Sequence, residues 1–319
     1  MQWRGDDEIL AELTRDAGSG EQLDLADWKS TPLIGGYAGA AVWRIGLRLR
    51  SRDGHARTAA YVLKICRARE VATMRTISAL GAATFPTVIA NRIDSEQPDD
   101  PRASLFASPF YPGRDLTFGD AAPAPMLADL ARLHARFEHQ PRPSWAWRID
   151  ADQVARFHAD ACQALERSER FKTATPDHDD WLGRLRTIAS SSPLIAEADD
   201  FPASLTHGDV HPGNIIASPS GGHTLIDWGN ARWAPAMIDT ANMVPLGSSV
   251  WAAYLSAYRA AGGSTADAVL LRSWRWAAGI TALMYLPWVA EHRDDAARMI
   301  AQALEAHGAL AASGAGRLP

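Results

Sequence analysis

The chain has 319 residues, a formal net charge of −5, 47% hydrophobic and 22% charged residues. At about 150 residues per domain, this length predicts two domains or lobes. The apolar fraction excludes a largely disordered chain, and no apolar run approaches the roughly 18 residues of a spanning helix. Thirty-two basic against 37 acidic residues give no global field for nucleic acid.

Two cysteines, Cys66 and Cys162, admit neither a disulfide framework nor a cysteine zinc site. Residues 1–10 carry Arg4, Asp6, Asp7 and Glu8 and no apolar leader core. A reducing, cytoplasmic setting without a membrane span is expected. Twelve tryptophans are read mainly as core packing, one or two as pocket lining.

Residues 1–30 read as helix and then turn, closed by Trp28. Residues 41–50 alternate apolar with polar or small side chains at period two, a strand signal. Ser51-Arg52-Asp53-Gly54-His55 is a turn and 58–66 the returning strand, which together predict an antiparallel hairpin. Residues 70–80 place Val71, Met74, Ile77 and Leu80 on one helical face, with Gly81 at the C-cap. Residues 84–93 and 104–110 read as strands, the second punctuated by Pro109, Pro112 and Gly113. Helical spacing then dominates 126–137, 154–171 and 181–190. A strand pair at 204–206 and 224–226 brackets a Gly/Pro/Asn-rich loop, and 250–312 is again helical. No repeat of 20–50 residues is visible. Strands in the first third and helices beyond predict an α+β architecture, not a doubly wound sheet, with a seam near 109–113.

The densest polar cluster is Thr206-His207-Gly208-Asp209-Val210-His211-Pro212-Gly213-Asn214. Asp227 follows thirteen residues after Asn214 in Leu225-Ile226-Asp227-Trp228-Gly229-Asn230. Three readings compete. His207, Asp209 and His211 form a His-x-Asp-x-His run that suits zinc or manganese in a metal hydrolase. The same residues also suit a polar turn with Pro212-Gly213 as turn chemistry. Phosphoryl transfer needs a carboxylate for the attacking hydroxyl, oxygen ligands for magnesium and a cation on the phosphates. Asp209, the pair Asn214 and Asp227, and Lys64 fill those needs in turn, with Glu70 placed to fix Lys64 by an ion pair.

The run His207-Gly208-Asp209-x-His211-Pro212-Gly213-Asn214, followed by Ile226-Asp227-Trp228, resembles the aminoglycoside phosphotransferase and choline kinase family, which has the protein-kinase-like fold. Tyr61-Val62-Leu63-Lys64 and then Glu70 look like that family's strand lysine and helix glutamate. Leu130-Ala131-Arg132-Leu133-His134-Ala135 is similar to its first C-lobe helix, and Asp239 to the aspartate that supports its catalytic loop. The resemblance covers most of the chain. It implies a bilobal α+β fold: an N-lobe with an antiparallel sheet and one helix over 1–108, a hinge at 109–113, and a mainly helical C-lobe over 114–319.

The resemblance also implies roles. Asp209 is the catalytic aspartate, Asn214 and Asp227 hold Mg2+, and Lys64, positioned by Glu70, contacts the phosphates of ATP, with GTP an open alternative. Gly35, Gly36 and Tyr37 belong to the loop over the phosphates, which is not a Walker loop. The Pro109 carbonyl and the Tyr111 amide pair with adenine. His207 braces the loop, His211 neighbours the transferred phosphate or holds the turn, and Asp239 is structural support.

Gly208 precedes Asp209 and His211 follows two residues on, where protein Ser/Thr kinases usually carry Arg and Lys. Eleven residues between Asp227 and Asp239 leave no room for a long phosphorylatable segment. The expected activity is therefore ATP-dependent O-phosphorylation of a small hydroxylated metabolite or antibiotic. The acidic run Asp177, Asp179, Asp180, Glu197, Asp199 and Asp200 suits a cationic acceptor, although such runs are commonly solvated surface. The alternatives are a kinase for a peptide or protein Ser/Thr, a catalytically silent nucleotide binder, and the metal hydrolase. The residues do not identify the acceptor or the oligomeric state.

Overall fold

A computed structural model describes Trp3 and residues 5–33, 41–188 and 192–314. Gly35, Gly36 and Tyr37 lie outside the described residues. The chain divides into two compact units. One comprises Met1–Asp120 and Pro212–Asn230, the other Ala121–His211 and Ala231–Pro319.

In chain order, the first unit begins with α1 (Asp7–Gly18), β1 (Leu23–Pro32), β2 (Ala41–Ser51), β3 (Ala56–Cys66) and α2 (Ala68–Ser78). It continues with β4 (Ala90–Arg92), β5 (Ser104–Pro109) and β6 (Arg114–Asp115). The second unit opens with α3 (Ala124–Phe137), β7 (Trp147–Arg148), α4 (Ala151–Arg167), α5 (Glu169–Ala174), α6 (His178–Thr187), α7 (Pro193–Ala196) and β8 (Ala203–Thr206). The chain then returns to the first unit for β9 (Ile215–Ala217) and β10 (His223–Leu225). It ends in the second with β11 (Arg232–Pro235), α8 (Ser249–Ala260), α9 (Asp267–His292) and α10 (Ala296–Gly314).

The first unit is built on an antiparallel sheet of order β1-β2-β3-β5-β4. The period-two pattern of β2 turns Trp43, Ile45, Leu47 and Leu49 to one face, where they meet Leu63, Leu105 and Ala107, with Leu10 and Leu13 of α1 in the same core. Asp6 caps α1 by accepting from the Ile9 amide, and the Tyr61 hydroxyl donates to Asp16 (2.8 Å), tying the helix to β3.

Several sequence expectations change here. Residues 23–32 are a strand, not the end of a helix. A bulge between Leu25 and Asp27 switches the inward positions from Leu23 and Leu25 to Trp28 and Ser30, which hides the alternation from a simple period-two reading. Of 84–93 only Ala90–Arg92 is strand. Phe85 turns back onto Ala82 and Pro86 has no amide for a ladder. The segments 204–206 and 224–226 do not pair with each other: β8 pairs with β11, whereas β10 pairs with β9. Because β9 also pairs with β6, residues 212–230 join the first unit. The first unit runs on to Asp120 and takes in the 109–113 segment.

The second unit is helical around Leu165, Phe171, Tyr254, Trp276, Leu283 and Ile300, with a small sheet of order β7-β11-β8. The helix expected over 154–171 is two helices, because Ser168 Oγ accepts from the Phe171 amide (3.0 Å) and starts a new one. Most tryptophans are core: Trp276 and Trp228 are fully buried, and Trp276 Nε1 donates to the Leu194 carbonyl (2.7 Å). Among the described residues no helix is long and apolar enough to cross a membrane.

Candidate active site

The first unit assembles a charge cluster. Lys64 lies on β3 between two sheet partners, Val42 and Phe106, on the face opposite Leu63. Its Nζ stands 2.6 Å from Glu70 Oε1 and 2.7 Å from Asp227 Oδ1. Glu70 is buried in the first turn of α2. Burial alone would favour the neutral amine. The carboxylates of Glu70 and Asp227 outweigh it and hold the ammonium above the usual lysine range.

Asp227 sits where β10 ends, with φ +61°, a left-handed conformation for which Asp and Asn are enriched among residues with a Cβ. The Ile226 amide donates to the Asn214 carbonyl (2.8 Å) and Ile215 pairs with Leu225. Asn214 and Asp227 thus flank the same end of the β9–β10 hairpin, Asn214 buried and Asp227 exposed. Trp228 anchors the turn through Nε1 to the Leu225 carbonyl (2.9 Å) and an edge contact with Phe85 at 5.0 Å. A Cβ on Gly229 would stand 3.2 Å from Glu70 Oε2, so the missing side chain lets the turn approach Glu70.

Pro109 ends β5. The Phe110 amide donates to the Ala60 carbonyl of β3 (3.0 Å), so strand alternation turns the Pro109 carbonyl away from β3. The Tyr111 hydroxyl accepts from the Thr87 amide (3.0 Å).

The second unit builds a braced loop. β8 delivers the chain to His207, which is fully buried. The carboxylate of buried Asp239 accepts from the His207 amide (2.7 Å), the Gly208 amide (2.7 Å) and His134 Nε2 (3.0 Å). With Nε2 as donor, His134 Nδ1 takes the Tyr254 hydroxyl at 2.7 Å. Burial pushes the Asp239 carboxyl up, but the hydrogen bond from His134, with His207 and the Gly208 amide, outweighs it and leaves it below the usual carboxylate range. Gly208 takes φ +78°, which only glycine adopts at little cost. The Asp209 amide donates to His207 Nδ1 (3.2 Å). Asp209 Oδ1 accepts from the Tyr285 hydroxyl of α9, and His211 Nε2 lies 3.8 Å from that oxygen.

The structure thus brings Lys64, Glu70 and Asp227 together, sets Asn214 beside Asp227, and groups His207, Asp209, His211 and Asp239. His207 faces inward and gives Nδ1 to the loop, so His207, Asp209 and His211 are not displayed as a ligand triplet, which counts against the metal hydrolase. Among the described residues no cluster of three or more His, Cys, Asp or Glu could hold a metal ion. The acidic run is not one wall. Glu197 is paired with Arg272 and Asp199 with Arg148, while Asp179 and Asp180 occupy the first turn of α6, where acids favour a helix N-terminus. Sequence reading missed Tyr285 and Tyr254, which stand in helical apolar stretches with no local signal.

Residues 32–280 match the family model described as the phosphotransferase enzyme family. Curated protein sequences return no match. Among solved structures, the chain is similar to choline kinase from Cryptosporidium parvum Iowa II, at 13% identity and TM-score 0.56, covering 97% of each chain. It is similar to choline kinase LicA from Streptococcus pneumoniae, at 14% identity and TM-score 0.53, covering 96% of this chain and 99% of that one. Spectinomycin phosphotransferase, solved with ADP and spectinomycin, matches at 12% identity and TM-score 0.51, covering 94% of this chain and 98% of that one. At these identities the likeness bears on the fold, which is protein-kinase-like.

Proposed function

The chain belongs to the phosphotransferase enzyme family, and on that premise we propose that it moves the γ-phosphoryl group of MgATP to a hydroxyl of a small molecule. The observation that carries this is Lys64, a largely buried ammonium held between Glu70 and Asp227. An ammonium kept charged in this way is suited to phosphate oxygens, and Glu70 fixes its direction. Asn214 and Asp227 fit a magnesium ion by donor type: both offer oxygen, as a hard cation requires, from one hairpin end. Magnesium, when bound, neutralises charge on the β- and γ-phosphate oxygens. The Pro109 carbonyl, turned away from β3, is available to the adenine amino group, with the Tyr111 amide as its neighbour.

In the transfer the acceptor oxygen forms a bond to the γ-phosphorus as the bond from that phosphorus to the bridging oxygen breaks, releasing ADP. The acceptor's proton passes to Asp209, whose loop is held by Asp239. A short Asp227-to-Asp239 segment supports a small molecule over a regulated protein-kinase reaction. Both cysteines are free and buried, in keeping with a cytoplasmic enzyme.

The test is magnesium-dependent ADP release across aminoglycosides, macrolides, choline, homoserine, sugars and Ser/Thr peptides. One class of small acceptor is expected to stimulate release, and Asp209→Asn to lower it by about 100-fold or more. Full turnover by Asp209→Asn, or activity that needs zinc and no nucleotide, would overturn the proposal.

A further inference from the structure

α9 runs for 26 residues and carries Pro287 in its interior. Proline has no amide to give, so the helical bond to the Leu283 carbonyl is missing. The weakened turn, 283–287, is the one that carries Tyr285. Its half-buried side chain reaches the 207–211 loop, where the hydroxyl donates to Asp209 Oδ1. The other end of Asp209 is fixed as well, since its amide is held by His207 Nδ1 at 3.2 Å. His207 and Gly208 are in turn pinned by Asp239. The backbone of the loop is therefore set by Asp239 and His207, and Tyr285 supplies a hydrogen bond to the carboxylate itself.

From this juxtaposition we infer that Tyr285 is a positioning residue for the phosphotransfer: its hydroxyl fixes the rotamer and plane of the Asp209 carboxylate that receives the acceptor proton. The inference rests on Asp209 being the catalytic aspartate. A carboxylate with free χ1 and χ2 points at the acceptor only part of the time. A phenol on a packed helix restricts it without adding a competing charge. Burial, and then the Asp209 charge, push the Tyr285 hydroxyl well above its ordinary range, so it remains a donor at every working pH. Arg232 on β11 adds a packed flank: its Nη1 lies 3.8 Å from the sulfur of Met284, the residue before Tyr285.

Two measurements test this. The first is ADP release from MgATP with water as the acceptor, for wild type, Tyr285→Phe and Asp209→Asn. Removing one hydrogen bond to a charged group is expected to lower kcat in Tyr285→Phe about tenfold, with KM for MgATP unchanged and the melting temperature close to wild type. A Tyr285→Phe kcat within twofold of wild type, beside an inactive Asp209→Asn, would overturn the role of Tyr285 and leave that of Asp209 standing. An active Asp209→Asn would instead overturn the role of Asp209. The second measurement does not depend on turnover. Crystal structures of wild type and Tyr285→Phe are expected to show the Asp209 carboxylate in one orientation with the phenol and displaced or split without it. An identical orientation in both would overturn the inference.

Discussion

Asp227 in the first unit and Asp239 in the second carry the same carboxylate and do different work. Asp227 is exposed, sits on a left-handed backbone and shares the Lys64 ammonium with Glu70. Asp239 has no exposed surface and accepts two loop amides and a histidine. A fully buried carboxylate whose oxygens are taken by loop amides and a histidine builds geometry. One held at the surface by a cation can exchange that partner for a ligand. On the proposed reading, the environment and not the residue type separates support from chemistry.

The largest effect is expected at Asp239. Asp239→Asn leaves the His207 and Gly208 amides and His134 competing for a single acceptor oxygen. Breaking such a buried network typically costs about 3–5 kcal/mol, read as a drop in the urea midpoint, with activity lost alongside. The sign with pH follows from the depressed carboxyl. Its contribution is fully present above the unfolded value of about 3.9 and is lost as the pH falls from there through the folded value. Wild type should therefore lose stability more steeply below about pH 4 than Asp239→Asn. Parallel pH curves would place the acid-labile group elsewhere.

Next in size is Lys64→Met, which removes the cation and leaves two carboxylates facing each other. Nucleotide turnover is expected to fall by about 100-fold, as for loss of a preorganised charge on a transferring phosphoryl group. In wild type the raised lysine pKa makes the opposite sign prediction to Asp239. Its stabilisation is complete below the unfolded value of about 10.4 and is lost only as the pH rises through the folded one. Between pH 6 and 9, denaturation midpoints of wild type and Lys64→Met should keep a constant separation.

The two units also differ in how much of them was legible in the sequence. Asp209 and Asp227 follow short apolar strands that stop at polar residues, Lys64 is a lone cation within the apolar run of β3, and the described structure puts Lys64, Glu70 and Asp227 in one cluster. The hairpin β2–β3 shows a clean period of two. β1 does not, because its bulge reverses the phase after Leu25. The pairing of β8 with β11 and of β9 with β6 is non-local, and nothing in so short a strand names its partner. Tyr285 reads as one more apolar helix position among Leu283, Met284 and Leu286. Its meaning comes from the loop that α9 meets, which no spacing within α9 encodes.

A smaller effect separates chemistry from conformation at Asp227. Asparagine tolerates a left-handed backbone nearly as well as aspartate, whereas alanine is penalised there by about 1–2 kcal/mol. Asp227→Asn should thus lose turnover and the pairing with Lys64 but melt above Asp227→Ala, which bears the backbone penalty as well. Equal melting temperatures for the two variants would mean that the turn after β10 relaxes to a negative φ when the acid is removed.

The smallest effect is expected at Gly229. Its φ is not positive, so alanine meets no backbone penalty there. Only space opposes it: the new Cβ would stand 3.2 Å from Glu70 Oε2 and 3.4 Å from Asp227 Oδ1. The Asp227 distance is ordinary contact, but the Glu70 oxygen needs to give by a few tenths of an ångström, and Glu70 has little freedom because it is buried and bound to Lys64. Gly229→Ala should also gain about 0.4–1 kcal/mol from the stiffer unfolded chain, which offsets the crowding. The melting temperature should then stay close to wild type. KM for MgATP should rise by about two- to fivefold as Glu70 turns Lys64 off its line, since small misplacements of positioning groups cost rate. A stable variant with unchanged KM would show that Glu70 yields without moving Lys64, and that Asp227 alone is enough to aim the ammonium.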